Sequence, residues 1–503
     1  MVEFFSVPAI KDFAEPLNKD YRVFVNGKEC PVYNARCSAV PYNGYNDTGV
    51  AFARPRNQSE TAAFVRVTAD EPLRFEVKFA PAPSDCPASV LTGTKKTFRA
   101  PALVRPLEKN ISVAEDGNAA VFTIEQSGAY VFEPYGRHAA LHVFVDAPRA
   151  YEKEGATYFF GAGIHFPGVI RLKDGDRVYL ENGAVVYGSL LAHGAKDVKI
   201  YGEGVLDGSY EVRIAPHCYE DYTKGNIRLY NCKDVSVEGI VLRDSANWCF
   251  SMYECEDIFV DNVKIVGQWR YNTDGIDIMN SRRVKIENCF VRSFDDSVCL
   301  KAVEQFEGNV TDISVKNCTL WCDWGRTLEI GLETACETYE RISFENCFLV
   351  HNSAAALDVQ AGNYARIRDV LFKDISAEFE AGALPEKMQT SPAEYDAEGG
   401  QMRPALIAVG NYAMTDMEMY RYLFTEEQLA DPRRGTVENV RFENIRAYVE
   451  EGACFPASRI VSFYEGFAFK DISLENISFN GVRAKSAEEM KLEISRVENF
   501  RIK

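Results

Sequence analysis

Residues 284–291 read VKIENCFV, residues 313–320 read ISVKNCTL and residues 342–349 read ISFENCFL. Each phrase has an alternating apolar run followed by an Asn-Cys pair, and the pairs recur at a spacing of 29 residues. A unit this short cannot bury its apolar side alone, so it must stack on copies of itself. The repeat therefore predicts a solenoid in which each coil contributes parallel strands.

Related phrases extend this repeat over much of the chain. Their spacing is 23 to 32 residues, apart from one gap of 70, and their first apolar residues are Val235, Ile258, Val284, Ile313, Ile342, Val370, Val440 and Ile472. The phrases lack the spaced leucines and the helical half of a leucine-rich repeat. Because parallel crossovers are right-handed, we expect a right-handed parallel β-helix. Asn288, Asn317 and Asn346 should form a ladder of like side chains.

The gap of 70 residues marks an insertion at about residues 381–435. It contains a predicted helix at TEEQLADPRR, residues 425–434. Long insertions in solenoids emerge from one face, which is often the functional one. Two interpretations stay open: the insertion closes one end of a groove and imposes exo action, or it forms a contact in a homo-oligomer.

The first part of the chain has a different pattern. From about residue 20 to residue 150, short segments of period two are separated by Gly, Pro, Asp and Asn, which is typical of antiparallel strands in a β-sandwich. A linker is expected near Ala147 to Gly155. The chain is therefore predicted to be all-β, with a β-sandwich domain at 1–150 and the β-helix domain at 151–503.

Composition excludes several classes of partner. The 503 residues carry a formal charge of −18 with a pI near 5.0, so nucleic acid and anionic membrane surfaces are disfavoured. No apolar run reaches the roughly 18 residues that span a bilayer. The start shows no signal-peptide pattern, so a cytoplasmic protein is expected, and its fourteen cysteines are then free thiols.

The stretch YNTDGIDIMNSRRVKIENCFVRSFDDSVCLKAV, residues 271–303, carries the candidate chemistry. Asp295 and Asp296 follow Asp274 by 21 and 22 residues, which is one coil, so the three should lie side by side. Clustered carboxylates repel one another, and at least one pKa should be raised. Glycoside hydrolysis needs one protonated carboxyl and one ionised carboxylate. The alternative is that these are solvated turn residues, which are common in bends.

Asn272-Thr273-Asp274 followed by Asp295-Asp296, together with IYGEGVLDGS at residues 200–209, resembles the family-28 glycoside hydrolases, the polygalacturonase group. The similarity to family 49, the dextranase and isopullulanase group, is looser, and that family also has an N-terminal β-sandwich. The resemblance implies hydrolysis with inversion of the anomeric centre. It assigns Asp295 as general acid, and Asp274 with Asp296 as the carboxylates that hold and deprotonate water.

The chain departs from the polygalacturonase pattern at two places. Arg326 stands where that pattern has the His of Gly-His-Gly, and LDVQ, with Asp358 and Gln360, replaces the Arg-Ile-Lys that grips a uronate. An acidic residue there would repel a uronate, so a neutral glycan is expected, and the leading hypothesis takes its linkage to be α. Arg326 either orients a catalytic aspartate or is a plain surface arginine.

Further substrate contacts are expected around the aspartates. Aromatic planes stack on the apolar faces of sugar rings, although each tryptophan can equally fill the core. The candidates are Asn272, Tyr271, Lys301, Glu329, Trp248, Trp269 and Trp324, with Arg270 and the fourth tryptophan, Trp321, nearby. The six histidines form no metal pattern, and the predicted chemistry needs no metal or cofactor.

The leading hypothesis is an inverting glycosidase that acts on a neutral oligosaccharide or polysaccharide. A cytoplasmic address would favour imported oligosaccharides. The alternatives are a hydrolase of uronate-containing glycans, a polysaccharide lyase and a non-catalytic glycan-binding β-helix. A lyase needs a base and a positive charge beside the uronate, and an unsaturated product would identify it.

Overall fold

The computed structural model describes residues 2–11, 13–38, 59–80, 102–134, 136–212, 225–380 and 404–503. The residues up to Asp146 form two packed sheets and a small hairpin. One sheet contains, in spatial order, Glu3–Phe4, Ser59–Thr68, Leu141–Asp146, Gly128–Glu133 and Leu103–Arg105, with Tyr33–Ser38 also beside Ser59–Thr68. The other contains Ala114–Asp116, Ala119–Ile124, Leu73–Phe79, Tyr21–Val25 and Lys28–Cys30. The hairpin pairs Ala9–Ile10 with Phe13–Ala14.

The two sheets share one apolar core, which makes them a β-sandwich. Alternate side chains of the facing strands are buried, and the rings of Phe75 and Phe122 stack with centroids 5.3 Å apart. The expectation of antiparallel pairing was wrong at one place: Leu141–Asp146 runs parallel to Ser59–Thr68. Period-two alternation specifies a half-buried strand but not the direction of its neighbour.

From Tyr158 onward the chain winds into a β-helix of three parallel sheets, which we call the first, second and third sheets. The first contains Tyr158–Phe160, Arg177–Leu180, Lys196–Gly202, Lys233–Glu238, Glu256–Asp261, Arg282–Glu287, Val310–Lys316, Thr338–Glu345, Arg366–Phe379, Thr436–Val449, Phe469–Glu475, Val497–Glu498 and Arg501–Ile502. The second contains Gly163–Leu172, Ala184–His193, Val205–Asp207, Val241–Arg243, Lys264–Val266, Phe290–Ser293, Thr319–Cys322, Phe348–His351, the second halves of Arg366–Phe379 and Thr436–Val449, and Ser478–Phe479.

The third sheet continues from the second halves of Gly163–Leu172 and Ala184–His193. Its further strands are Ile227–Tyr230, Phe250–Tyr253, Ile276–Met279, Val298–Ala302, Arg326–Thr334, Ala355–Gln360, Ala405–Gly410, Arg459–Val461 and Glu493–Ser495. Two-residue strands at Ser478–Phe479 and Val482–Arg483 form an antiparallel hairpin near the end of the chain. The predicted fold class, a right-handed β-helix after a β-sandwich, is confirmed.

The repeat defines the register of the first sheet. The eight apolar residues that open the phrases are direct neighbours from coil to coil, from Val235 beside Ile258 through to Val440 beside Ile472. All eight are buried in a continuous core inside the coils. Each coil therefore buries its apolar side only because its neighbours are in register.

The expected asparagine ladder is present at the bend after the first sheet. Asn317 donates to Asn288 at 3.2 Å and accepts from Asn346 at 2.7 Å, through side-chain amides. All three residues have positive φ, between 52° and 56°, which Asn tolerates better than most residues. The adjacent Cys289, Cys318 and Cys347 face the core as free thiols.

The sandwich packs against the outer face of the second sheet. Phe64 and Phe144 belong to an apolar cluster with Phe290 and Trp321 of the β-helix. Buried ion pairs border this cluster: Asp146 accepts from Arg66 at 2.7 Å and from Lys264 at 2.6 Å. Residues 147–157 between the two parts form no strand. The division into separate domains at this segment stays a prediction.

The predicted insertion is not one continuous block. Ala405–Gly410 is a regular strand of the third sheet, so the extra chain divides into residues before this strand and residues 411–435 after it. Residues 381–403 lie outside the described part. The second piece contains the 3₁₀ turns Met414–Asp416 and Glu418–Leu423.

The helix expected at 425–434 is short. It covers Glu426–Leu429, with Thr425 in a capping box, because Pro432 prevents its continuation. A single 3₁₀ turn in the sandwich, Leu107–Lys109, is the other helical element described. In the described ranges, no helix is long and apolar enough to cross a membrane.

We expect Asn317→Ala to destabilise the protein by about 1–2 kcal/mol, because alanine is strained at positive φ and cannot continue the ladder. Asn317→Gly is the matched control, since glycine adopts this φ freely but also removes the ladder bonds. The measurement is the urea midpoint of unfolding. Equal shifts for the two variants would show that backbone strain is not the cause.

Candidate active site

The bends between the second and third sheets bring the predicted aspartates together. The amide of Gly275 donates to the carbonyl of Asp296 at 2.8 Å, and the amide of Ser297 donates to the carbonyl of Arg326 at 2.9 Å. Asp274, Asp296 and Arg326 therefore lie on three successive coils. The predicted aspartates, Asp274, Asp295 and Asp296, are each at most 6% exposed.

The third sheet adds a row of polar side chains beside these bends. In successive coils, Asp277 is the neighbour of Cys299, Cys299 of Glu329, and Glu329 of Asp358. Their flanking residues, such as Ile276 and Ile278, belong to the core, so the alternation directs this row outward. The row and the bend aspartates together form one buried acidic cluster.

Lys301 is the centre of charge compensation in this cluster. Its ammonium group lies 2.7 Å from Asp274 Oδ2, 3.2 Å from Asp277 Oδ1 and 3.5 Å from Asp296 Oδ2. It also lies 4.3 Å from the ring centroid of Trp248, a cation–π distance. Lys301 is 4% exposed and its ammonium group contacts carboxylates, and its predicted contact with substrate is not tested by these interactions.

Arg326 is the second cation, and it faces the acidic cluster. Its backbone amide donates to Asp296 Oδ1 at 2.8 Å, and its guanidinium lies 4.0 Å from the same oxygen. The guanidinium is also 3.5 Å from Asp358 and 3.8 Å from Glu329. Of the two interpretations left open for Arg326, these contacts favour one in which it orients a carboxylate of the cluster.

Gly325 allows the aspartate pair to close over the bend. A Cβ at this position would lie 2.4 Å from Asp296 Oδ1 and 2.6 Å from Asp295 Oδ1, both far inside van der Waals contact. Asp295 Oδ1 also accepts from the amide of Asp296 at 3.1 Å. The two carboxyl groups thus approach the backbone so closely at residue 325 that no side chain fits there, and the position requires glycine.

The cluster cannot be fully ionised. The cluster has six carboxyl groups, on Asp274, Asp277, Asp295, Asp296, Glu329 and Asp358, whereas its ion pairs among the described residues come from two cations, Lys301 and Arg326. A buried unpaired charge is costly. Some of these carboxyl groups must therefore carry protons at neutral pH.

The two members of the Asp295–Asp296 pair respond in opposite directions. Burial, reinforced by the charge of Asp296, raises the pKa of Asp295 well above its usual value. Burial also opposes ionisation of Asp296, but the positive charges of Lys301 and Arg326 outweigh it and lower its pKa. The environment thus favours the protonated form of Asp295 and the ionised form of Asp296.

The remaining carboxyl groups are all shifted towards the protonated form. Burial raises the pKa of Asp274 and of Glu329 well above their usual values, and it raises the pKa of Asp358. Burial raises the pKa of Asp277 to about 6, against the opposing charge of Lys301. A protonated Glu329 donates a hydrogen bond to the Asp296 carboxylate, which raises the pKa of Glu329 further and lowers that of Asp296.

Asp274, Asp277 and Cys299 offer ligand atoms within 4.8 Å of one another, the spacing of a metal site. However, the thiol of Cys299 donates to Asp277 Oδ1 at 2.9 Å, and the Lys301 ammonium contacts both aspartates. A metal ion would have to displace an ammonium group that already supplies the positive charge. The donor set therefore fits a lysine-centred cluster better than a metal.

The tryptophans divide between core and site. Trp321 is fully buried against the sandwich, under the guanidinium of Arg292 at 3.7 Å, so it fills the core. Trp248 and Trp269 are each 5% exposed, and the indole of Trp269 donates to Asp244 at 2.9 Å. Both rings are thus largely covered, and their contact with substrate stays a prediction. Half-buried Trp324, stacked on Phe294 beside the aspartate pair, stays the predicted sugar contact.

The bend that precedes Asp274 is held by Arg270. Its guanidinium donates to the carbonyls of Ser209 and Glu211 at 3.0 Å and 2.9 Å. Its own carbonyl accepts from the hydroxyl of Thr273 at 2.6 Å. Tyr271 and Asn272 lie half-buried in this bend, and their predicted contact with substrate is not tested by these interactions. Gln360, also a predicted contact, donates to Asp358 at 2.7 Å.

Sequence reasoning missed Asp277, Cys299 and Tyr420. Asp277 and Cys299 were detectable, because each sits at the outward position of a strand in register with Glu329 and Asp358. Tyr420 lies in the extra chain after Ala405–Gly410, where no repeat predicts its place. Burial raises its pKa to about 12, and charges including those of Arg326 and the aspartate pair also act on it. This part of the extra chain therefore lies within electrostatic range of the cluster.

The segment that carries the cluster is similar to a known family of proteins. Residues 164–378 match the family model for glycosyl hydrolases family 28, which confirms the resemblance read from Asn272 to Asp296. The matched segment contains all six carboxyl groups of the cluster. It covers less than half of the chain.

Curated relatives match over a similar segment. A probable exopolygalacturonase B from Aspergillus fumigatus is 30% identical over 207 residues, which is 37% of this chain and 44% of the relative. Exopolygalacturonase B from Aspergillus niger is 27% identical over 208 residues, 36% of this chain and 44% of the relative. The match thus spans less than half the length of these relatives.

Among solved structures, Dex49A from Penicillium minioluteum matches along nearly the whole chain. Its TM-score is 0.60 at 12% sequence identity, with 99% of this chain and 96% of that chain covered. At this identity the similarity concerns the fold alone. It extends to the N-terminal part of the chain, which the family model does not cover.

We expect Asp277→Asn to stabilise the protein by a few kcal/mol at about pH 8. The raised pKa of Asp277 means that its protonated form suits the fold. Its contribution to stability is therefore present below the unfolded pKa and is lost as pH rises through about 6. The gain from the amide should fade towards about pH 4. Thermal unfolding across this range is the measurement.

Asp296→Asn is the matched control with the opposite sign. In the wild type the pKa of Asp296 is lowered on folding, so ionised Asp296 stabilises the protein above the unfolded pKa. This contribution is lost as pH falls through the folded pKa. This variant should destabilise the protein at neutral pH and become neutral in acid. If both variants shifted stability in the same direction at every pH, the assigned protonation states would be wrong.

Proposed function

We propose that this protein is a glycoside hydrolase that cleaves its substrate with inversion at the acidic cluster. The observation that carries the proposal is the Asp295–Asp296 pair, in which one carboxyl is held protonated and its neighbour ionised. General acid–base cleavage of a glycosidic bond requires this combination at one site. The match of residues 164–378 to glycosyl hydrolases family 28 supports the same chemistry.

Asp295 is the general acid. Its raised pKa keeps a proton available at neutral pH, and Asp295 Oδ1 accepts the Asp296 amide, which leaves Oδ2 to carry the proton. This proton passes to the glycosidic oxygen as the bond to the anomeric carbon breaks. The leaving sugar then departs as a neutral alcohol.

Asp296 is the base that removes a proton from the attacking water. Lys301 and Arg326 keep it ionised, and the Arg326 amide holds Oδ1 in place. Asp274 positions the water through Oδ1, which has no hydrogen-bond partner among the described residues, while its Oδ2 is held by Lys301. In this proposal the water attacks the face opposite to the leaving oxygen, which inverts the product anomer. Inversion is supported by the resemblance to family 28 and not by the carboxyl separation, because Asp295 Oδ1 and Asp296 Oδ1 lie closer together than is usual for the acid and base of an inverting enzyme.

The substrate class that the charges favour is a neutral glycan. Both cations of the cluster are already outnumbered by carboxyl groups, and Asp358 lies where the sequence pattern of polygalacturonases has a basic clamp. A uronate would add another negative charge without a free partner at this point. The net charge of −18 acts in the same direction.

A uronate-containing substrate is the second candidate, and the curated relatives favour it. Both relatives described above are named exopolygalacturonases. Arg459, exposed on the third sheet two coils beyond Asp358, is a cation that could meet a uronate at a more distant unit. Turnover of matched neutral and uronic substrates decides between the two candidates.

A lyase is less well supported. Proton abstraction beside a uronate needs a neutral base, whereas the carboxylates around Lys301 raise its pKa well above the usual value. Arg326 is likewise held charged, with a raised pKa. Both cations thus stabilise negative charge and do not accept protons.

We expect Asp295→Asn to lower kcat/KM by about 100- to 10,000-fold on glycans, the usual contribution of a general acid. The loss should be smaller on an aryl glycoside whose leaving group needs no protonation. Glu451→Gln, a change at an exposed turn residue, serves as the control. NMR of the first product anomer tests inversion, and a retained anomer would contradict the mechanism.

The pH–rate profile should be bell-shaped. Its rising limb reports ionisation of Asp296, whose pKa is lowered, and its falling limb reports loss of the proton from Asp295, whose pKa is raised. Asp295→Asn should remove the falling limb from the residual activity, because the amide has no proton to lose. A falling limb that survives this substitution would assign it to another group.

Asp358→Asn tests the substrate class. The amide cannot ionise, so replacing the carboxyl group should ease binding of a uronate and raise the ratio of uronate to neutral turnover by about 10-fold. The assay compares malto- and isomalto-oligosaccharides with galacturono-oligosaccharides of equal length. If wild type acts on uronates alone, the neutral assignment fails while the hydrolase assignment stands.

A further inference from the structure

Three aromatic rings form an exposed cluster at the N-terminal end of the β-helix. Phe166 and Tyr187 stack with centroids 5.0 Å apart and planes 10° from parallel. Tyr210 meets both rings edge-on, at 5.9 Å from Phe166 and 5.1 Å from Tyr187. Phe166 is 62% exposed and Tyr210 is 72% exposed, although burial of such rings is strongly favourable. We call these three residues the aromatic platform.

The platform is fixed by hydrogen bonds and ion pairs beneath Tyr187. The hydroxyl of Tyr187 donates to Glu15 Oε2 at 3.0 Å. Glu15 in turn accepts from Arg243 at 2.8 Å, and Arg243 also pairs with Asp207, three residues before Tyr210. All three charged residues are buried. The rings are thus held in place by a charge network that spans the sandwich and two coils of the β-helix.

The platform is continuous with the acidic cluster. Ser209 and Glu211, on either side of Tyr210, accept the two hydrogen bonds of Arg270 from the bend that carries Asp274. The Tyr210 segment follows Val205–Asp207, and the Asp274 bend lies two coils further on. At about 4.8 Å per coil, the separation along the axis is roughly 10 Å. This distance suits a bound chain of a few sugar units.

The shape and size of the platform favour a sugar ring as its ligand. Two stacked rings with a third across them offer edges and faces of the kind that pack on the apolar C–H faces of a pyranose. Three rings supply far less than the roughly 800 Å² per partner of a specific protein interface. The chemistry therefore favours a sugar ring over a protein surface.

We propose that Phe166, Tyr187 and Tyr210 form a carbohydrate subsite that holds a sugar unit remote from the cleaved bond. This inference rests on the proposed function for its substrate class, and it adds where a longer chain is gripped. Affinity should then increase with chain length until a sugar unit reaches the platform.

The test measures binding without hydrolysis, in the Asp295→Asn background. Calorimetric titration with malto-, isomalto- and galacturono-oligosaccharides of increasing length gives the affinity at each length. Tyr210→Ala and Phe166→Ala should each weaken binding of the long chains by about 3- to 10-fold and flatten the length dependence. Both side chains are exposed, and circular dichroism checks that the variants fold.

Phe159→Ala is the matched control. Phe159 is 52% exposed and packs on Tyr179 at 5.5 Å, but it lies on the first sheet, away from the bends that carry the aspartates. It should leave the length dependence unchanged. Equal loss in all three variants, or long chains that bind Tyr210→Ala as tightly as its parent, would overturn the subsite.

Failure of the two proposals can be told apart. If the wild type hydrolyses a substrate and Tyr210→Ala does not change how affinity depends on chain length, the hydrolase proposal stands and the subsite proposal fails. Length-dependent binding through Tyr210 with no hydrolysis of any substrate would retain the subsite and remove the hydrolase. No length dependence in any of the three series would also overturn the subsite.

Discussion

Hydrogen-bonded register between coils is the constraint on which the rest of this structure depends. A parallel strand pairs residue by residue with the coil before it, so side chains one coil apart become neighbours whatever their separation in sequence. The same rule that stacks Val284 on Ile313 in the core places Asp277 beside Cys299 on the outside. The apolar repeat therefore positions the chemistry as well as the core.

Register also explains how far the sequence could predict this molecule. The eight repeat residues, the Asn ladder and the neighbourhood of Asp274 and Asp296 all follow from period and spacing, and each was anticipated. Asp277 follows the same rule but sits next to a more conspicuous motif. Prediction failed where the chain departs from the repeat. The strand Ala405–Gly410 was interpreted as part of the insertion. The position of Tyr420 near the cluster depends on the path of an irregular segment, which no repeat predicts.

Electrostatics was predictable in kind but not in detail. Clustered aspartates indicated that some pKa must rise, yet the sequence did not show that Lys301 and Arg326 lie between the carboxyl groups. Their placement gives Asp295 and Asp296 opposite responses although the two residues are adjacent in the chain. The direction of each shift depends on which oxygen faces a cation, and only three-dimensional packing determines that.

The buried ion pairs between the sandwich and the β-helix have a consequence for the modularity of the chain. Lys264 and Glu378 of the β-helix are buried, and their opposite charges, Asp146 and Arg105, come from the sandwich. Asp323, two residues before Gly325, is likewise paired with Arg137 of the sandwich. Separating the parts would break these pairs and expose to water the apolar cluster that they border, which is unfavourable. The sandwich is thus less an exchangeable module than a fixed part of the body that carries the acidic cluster, and recombination with other β-helices would have to include these partners.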